Sequence, residues 1–252
     1  MAALTQRLQG RTVVVTGAAS GIGAAVAAAV AAEGANVGCL DVDADGAARV
    51  ADTLPCALAM ACDVTRLESV AEGFAAVVDR FGALHGLVNS AGGSQGQATP
   101  FLELDEQSWH RMVDRNLTGS FHCGLIAARH MAATGGGSIV LISSQLSRVV
   151  RPGLAHYAAA KGGINQLVKG MAVDLAGHAI RTNAVAPGPT FTAGNRAWFS
   201  RPEVEEEHAR LIPLGRVAEA EEIAGAVVHL LSDESSYTTG SVLFVDGGYT
   251  IV

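Results

Sequence analysis

Short apolar runs recur along the chain, each followed by a longer stretch that mixes apolar and polar residues. The first run, Thr12-Val13-Val14-Val15-Thr16, shows no alternation of apolar and polar positions. That is the pattern of a strand covered on both faces, as in a parallel sheet. Further strand-like runs lie at 36–41, 57–62, 86–89, 138–143, 180–186 and 241–245. Helical patterns fill the intervals at 21–33, 44–53, 66–81, 105–133, 156–176 and 219–231. This order predicts an α/β chain in three layers, a doubly wound parallel sheet of about seven strands with helices on both faces. No Ser/Pro/Gly linker and no repeat of fixed period interrupts the series, so residues 1–252 read as a single domain. The stretch 187–216 reads as irregular, with 188–216 as a substrate loop or lid, because long loops in compact domains carry function.

Composition narrows the class. With 49% hydrophobic and 16% charged residues the chain is too apolar to be disordered. A net charge of −7 argues against nucleic acid or an anionic membrane as partner. The charge-free stretch 12–32, between Arg11 and Glu33, is long enough to suggest a membrane span. Gly17, Ser20, Gly21 and Gly23 cut it into a strand and an alanine-rich helix, so no membrane segment is expected. The first residues have no apolar core followed by a cleavage site, which predicts a cytoplasmic protein. Cys39, Cys56, Cys62 and Cys123 form no CxxC pair and read as reduced, small apolar residues. The eight histidines form no HExxH and no zinc-like cluster, so no metal is predicted.

Candidate chemistry begins directly after the first strand. Thr16-Gly17-Ala18-Ala19-Ser20-Gly21-Ile22-Gly23 opens a helix. Glycines there let backbone approach a pyrophosphate, while free N–H groups and the helix dipole favour its charge. Asp41 closes the second strand, 24 residues after Gly17. A carboxylate at that position accepts hydrogen bonds from an adenosine ribose and repels a 2′-phosphate. Ala18, Ala19 and Val42 offer no basic group for such a phosphate, so the expected cofactor is NAD. Further along, Tyr157 and Lys161 stand at i and i+4 of a helical pattern and share a face. An ammonium beside a phenol favours tyrosinate and makes Tyr157 a usable base near neutral pH. Ser144, 13 residues before Tyr157 at the end of an apolar strand, can hold a carbonyl or alcohol oxygen beside it.

Taken together, these motifs resemble the short-chain dehydrogenase/reductase family over essentially the whole chain. The TGxxxGxG turn is Thr16 to Gly23, and the NNAG element appears as Asn89-Ser90-Ala91-Gly92, with Ser90 a mild departure. Asn116, Ser144, Tyr157 and Lys161 match the family's catalytic set. Pro187-Gly188-Pro189-Thr190-Phe191-Thr192 matches its nicotinamide element, and Val245-Asp246-Gly247-Gly248 its closing VDGG. The resemblance implies a Rossmann fold and assigns roles. Tyr157 exchanges a proton with the substrate oxygen, Lys161 binds the nicotinamide ribose and lowers the phenol pKa, and Ser144 orients the substrate. Asn116 holds a relay water or serves as a helix-kink residue, or both. Gly17, Ser20, Gly21, Ile22, Gly23 and Asp41 line the dinucleotide, Asp63 and Val64 meet adenine, and Asn89, Ala91 and Gly92 continue the wall. Pro187, Gly188, Thr190 and Thr192 close on the nicotinamide, Thr192 holding its carboxamide.

The substrate is left more open. Ser94, Gln95, Gln145, His156, Phe191 and Trp198 are the candidate lining. Gln95, Gln145 and His156 either hydrogen-bond a polar substrate such as a polyol, or face solvent and cap local backbone. Arg148 and Arg151 either read an acidic group or are solvated. The expected reaction interconverts a secondary alcohol and its ketone. Many members of the family reduce 3-oxoacyl groups on acyl carrier protein, but Val173 stands where those reductases carry arginine, which puts that activity second. A dinucleotide-binding sensor or scaffold is the remaining alternative. The family also implies a homotetramer.

Overall fold

The computed structural model describes residues 6–94, 96 and 98–252. Its strands are β1 (Thr12–Thr16), β2 (Asn36–Asp41), β3 (Ala57–Ala61), β4 (Gly86–Asn89), β5 (Gly137–Ile142), β6 (Ile180–Pro187) and β7 (Val242–Val245). They form one seven-stranded sheet in the order β3-β2-β1-β4-β5-β6-β7, every neighbouring pair parallel. Successive side chains of a strand point to opposite faces. Val13 and Val15 therefore join the core under α1 (Gly21–Ala32) and α9 (Ala220–Leu231). Val14 joins the core under α3 (Leu67–Phe81), α5 (Gly119–Thr134) and α6 (Ala155–Leu175). Burial on both faces is why these strands need no polar alternation. α2 (Ala44–Ala51) packs on the β2–β3 side, its Ala47 in the first of the two cores.

Strand order reverses between β1 and β4, which are neighbours although β2 and β3 lie between them in sequence. The connections leave this point in opposite directions and open a crevice at the carboxyl ends of the strands. Thr16, Asn89, Ser143 with Ser144, and Pro187 all lie at that rim. The opposite rim is clamped by ionic and capping contacts. Arg7 pairs with Glu33, Arg11 with Asp233, and Arg181 donates to the carbonyls of Leu230 and Ser232 at the end of α9.

Two sequence expectations change. Residues 105–133 are not one helix. α4 (Glu106–Val113) runs into a π-helical turn at Asp114–Thr118 before α5 begins. The Ser120 hydroxyl donates to the Asn116 carbonyl at 2.6 Å, and the Asn116 amide nitrogen donates to the Met112 carbonyl at 3.0 Å. Side chains thus take carbonyls that backbone N–H groups would otherwise take, and the helix widens there. The stretch 187–216 is not irregular either. It contains α7 (Arg196–Phe199) and α8 (Pro202–Leu211), with Pro202 in the first turn of α8. Phe199, Val204 and Val217 make a small core of their own, with Phe191 packed against it. The acidic run Glu203 to Glu207 hides that helix in a hydropathy pattern, because only Val204 and His208 of it are buried.

Among the described residues no helix is long and apolar enough to cross a membrane. All four cysteines are free thiols. Burial pushes Cys39 and Cys62 up to about 11 and Cys123 well above its ordinary value, so these thiols behave as apolar filling.

Candidate active site

The site begins where β1 turns into α1. Gly17 has φ 69° and sits against the backbone of the turn after β4, so that a Cβ on it would lie 2.7 Å from the Ala91 nitrogen. Gly23 is tighter: a Cβ there would lie 1.9 Å from the Gly17 carbonyl oxygen. The turn and the first helical residues can pack this closely only without side chains. Ser20 precedes α1 with extended backbone and makes no side-chain cap bond. The leading N–H groups of α1 are thereby left for an anion. Asp41 closes one flank. Its carboxylate accepts the backbone N–H of Ala19 at 3.0 Å and of Asp43 at 3.0 Å. Two fixed donors hold the carboxylate at the mouth of the turn while further lone pairs face outward. Asp63 accepts from the Thr65 N–H and hydroxyl, and Val64 is buried against α5, where a Cβ on Gly119 would meet it at 2.8 Å. A glycine cradle, an uncapped helix start and an anchored carboxylate fit a dinucleotide.

Asn89 occupies the reversal point but turns inward. Its Oδ1 accepts the Thr16 hydroxyl at 2.6 Å and its Nδ2 donates to the Ser120 hydroxyl at 2.9 Å. With Ser120 bonded onward to the Asn116 carbonyl, one buried chain of hydrogen bonds ties β1, β4 and the π-turn together. The Asn116 side chain holds the loop after β4, accepting the Gly93 N–H at 2.9 Å. Gly92, φ 141°, lies against this amide and close to Lys161: a Cβ there would be 2.6 Å from Asn116 Oδ1 and 3.6 Å from Lys161 Nζ. Asn116 thus sits in the π-turn, with Gly92 between its amide and Lys161.

α6 lies along the carboxyl end of β5 and presents Tyr157 and Lys161 on one face. Lys161 is almost fully buried, and its Nζ donates to the Ile142 carbonyl at 2.8 Å. It lies 5.7 Å from the centroid of the Tyr157 ring. Burial draws the lysine pKa down to about 7. Burial also raises the Tyr157 phenol, with the Ser144 hydroxyl pulling the other way. This differs from the expected ammonium-driven lowering of the phenol. Both groups are desolvated, and the ammonium sits over the ring, tied to a strand carbonyl.

Ser144 is held from three sides. Its hydroxyl donates to Gln145 Oε1 at 2.9 Å and accepts the Leu146 N–H at 3.1 Å, and its carbonyl accepts the Ser147 hydroxyl at 2.6 Å. Beneath it Ser143 donates to Asn165 Oδ1 at 2.7 Å, and Asn165 Nδ2 donates to Ser147 at 2.8 Å. Sequence reading missed Asn165 as the brace of this loop. The signal was there, because Tyr157, Lys161 and Asn165 fall at successive steps of four on one helix face.

After β6, a Cβ on Gly188 would lie 2.6 Å from the Asp246 backbone. Asp246 in turn accepts from Gly248 and Thr250, so the VDGG turn supports this floor. The Thr190 hydroxyl donates to the Gly188 carbonyl, and Asn195 staples the turn by accepting the Thr192 N–H at 2.7 Å. A Cβ on Gly21 would lie 2.9 Å from Thr192 Cγ2, so the end of the Pro187–Thr192 segment closes over the glycine turn.

Of the substrate candidates, Gln145 and His156 are buried, and His156 Nδ1 has no hydrogen-bond partner among the described residues. Burial lowers the His156 pKa. Ser94 is half-buried, and Gln95 lies outside the described residues. Phe191 packs edge-on to Phe199, with Arg196 over its ring at 4.5 Å. Trp198 is exposed and meets Phe199 and His208 edge-on. Arg151 is neither a free reader nor merely solvated. It bonds His208 Nε2 at 3.2 Å and pairs with Glu207, tying the loop after β5 to α8.

A family profile described as enoyl-(acyl carrier protein) reductase matches residues 17–250. The chain is 44% identical over 249 residues to cis-4-hydroxycyclohexanecarboxylate dehydrogenase of Sinomonas cyclohexanicum, covering 96% of this chain and 97% of that protein. The chain belongs to the short-chain dehydrogenase/reductase family. It is also 38% identical over 250 residues to D-threitol dehydrogenase of Mycolicibacterium smegmatis, covering 97% of this chain and 95% of the other. Among solved structures, 7α-hydroxysteroid dehydrogenase complexed with NADH and 7-oxo glycochenodeoxycholic acid superposes with a TM-score of 0.91. That match has 31% identity and covers 98% of this chain and 97% of that one. The protein is thus a short-chain alcohol dehydrogenase, an oxidoreductase of this family.

Proposed function

We propose that the chain is an NAD(H)-dependent dehydrogenase for a polar secondary alcohol, cyclic or polyol, working through Tyr157. The observation that carries this reading is the Tyr157–Lys161 face of α6, Lys161 buried and Tyr157 half-buried, set against Ser144 at the carboxyl end of β5, beside the glycine turn. Gly17 to Gly23, Asp41, Asp63 with Val64, Asn89 to Gly92 and Pro187 to Thr192 would hold the dinucleotide, whose nicotinamide, when bound, gives or takes the hydride. Asp41, fixed by two backbone N–H groups, supports NAD over NADP, because an added 2′-phosphate would meet a carboxylate and no cation at Ala18, Ala19 or Val42.

Burial keeps the Tyr157 proton in place at neutral pH, which suits protonation of a ketone oxygen in the reductive direction. In the oxidative direction Tyr157 must lose that proton, and the Ser144 hydroxyl and a protonated Lys161 favour the phenolate. Ser144 then holds the reacting oxygen beside the phenol. Asn116, kept at the kink by Met112 and Gly93, positions the loop that faces Lys161. Residues 188–216, which carry α7 and, tied to Arg151, α8, form the lid of the substrate space. Acyl carrier protein, the partner in the profile's name, is disfavoured as substrate carrier by exposed, uncharged Val173 and the net charge of −7.

Replacing Tyr157 with Phe tests the assignment. Turnover of any alcohol with NAD or NADP should fall by about 1,000-fold or more. NADH binding, followed by its fluorescence, should stay within a few-fold of the original. Turnover near the wild-type rate would remove Tyr157 from the mechanism. Equal use of NADP would remove the role given to Asp41.

A further inference from the structure

The Ser144 hydroxyl has one proton, which it gives to Gln145 Oε1 at 2.9 Å, with the Tyr157 phenol as the competing acceptor. The Ser144 oxygen also accepts the Leu146 N–H. Both side chains are deeply placed, Ser144 5% and Gln145 9% exposed. Gln145 Oε1 takes its hydrogen bond from Ser144, and its Nε2 makes none among the described residues. Any substrate oxygen that draws the Ser144 proton to itself therefore leaves Oε1 without a donor. An acceptor stripped of its partner in a buried setting weakens binding.

From this we infer that Gln145 is a specificity residue that selects substrates with a second hydroxyl on the carbon next to the reacting carbinol. The inference rests on the reading of the site as an alcohol dehydrogenase. Distance supports the adjacent carbon. Oε1 lies 2.9 Å from Ser144 Oγ, and a substrate oxygen on Ser144 stands about 2.8 Å from that same atom. Hydroxyls on adjacent carbons are roughly 3 Å apart, so one can engage Ser144 while the other donates to Oε1 or accepts from Nε2. Hydroxyls on opposite sides of a six-membered ring are too far apart to do both.

Initial rates on three matched sets test this, with both NAD and NADP: cyclohexane-1,2-diol against cyclohexane-1,4-diol, cyclohexane-1,2-diol against cyclohexanol, and butane-2,3-diol against hexane-2,5-diol. The wild type should favour the vicinal member by about tenfold in kcat/KM, and Gln145→Leu should bring each ratio to within about twofold. NADH titration confirms that the variant is folded, and Gln145→Met replaces it if Leu is not tolerated. A wild type with no vicinal preference, or a folded variant that keeps it, overturns the role of Gln145 and leaves the alcohol dehydrogenase reading standing. A wild type silent on this panel but active on other alcohols does the same. Silence on every alcohol overturns both.

Discussion

Lys161 shows how a single side chain carries both a cost and a use. Its ordinary pKa of 10.5 falls to about 7 in the folded chain. Between those two values the unfolded chain binds a proton that the folded chain does not, so stability rises with pH across that window. Below about 7 both states are protonated and the full penalty of burying the charge remains. Lys161→Met should therefore melt higher than the wild type at pH 6.5, by an amount on the order of a few kcal/mol at most. The gap should narrow by pH 9.5, when thermal melts of the ligand-free proteins are compared. Parallel melting curves at every pH would refute it. The proposed catalytic residues could be picked out because their types and spacing are specific. The directions of their pKa shifts were not, because spacing says nothing about how deep two groups sit. Gln145 is a similar case: its candidacy could be read from sequence, but its grip on the Ser144 proton could not.

At the scale of elements, strands and long helices were readable because burial on both faces leaves an unbroken apolar signature. Where hydropathy does not vary, structure was hidden. The π-turn at Asp114–Thr118 is made by Asn116 and Ser120 side chains, and no hydrophobic period marks it. α9 starts with a device that sequence does announce, Glu219 followed at the third position by Glu222. Glu222 also accepts both ends of the Arg216 guanidinium, which with the Glu219 N–H draws its carboxyl down to about 2. Its contribution is present above the ordinary carboxylate pKa and fades as pH falls towards 2. The pair is exposed, so solvent screens it. Glu222→Gln should cost about 1 kcal/mol or less at pH 7, and that difference should disappear in denaturant melts near pH 2.5. A cost independent of pH would assign the effect to packing instead.

Across the whole molecule, exposed Trp109, Phe121, Val150 and Val173 lie on or beside α4 to α6. With the small residues of α5 and α6 they suit close packing of these helices against other copies. Light scattering at micromolar concentration should give four times the chain mass, and a monomer would refute the expected tetramer. The two rims of the sheet divide the work. The Arg7–Glu33 and Arg11–Asp233 pairs and the Arg181 caps lie where the strands begin, while the proposed chemistry lies where they end, together with the Arg151–Glu207 and Arg216–Glu222 pairs that brace its loops. Substrate preference can therefore drift without touching the contacts of the opposite rim. A lineage could rebuild the loops following β4, β5 and β6 for a new alcohol while the anchored floor holds the chain together, and a breeder of enzymes could take the same route.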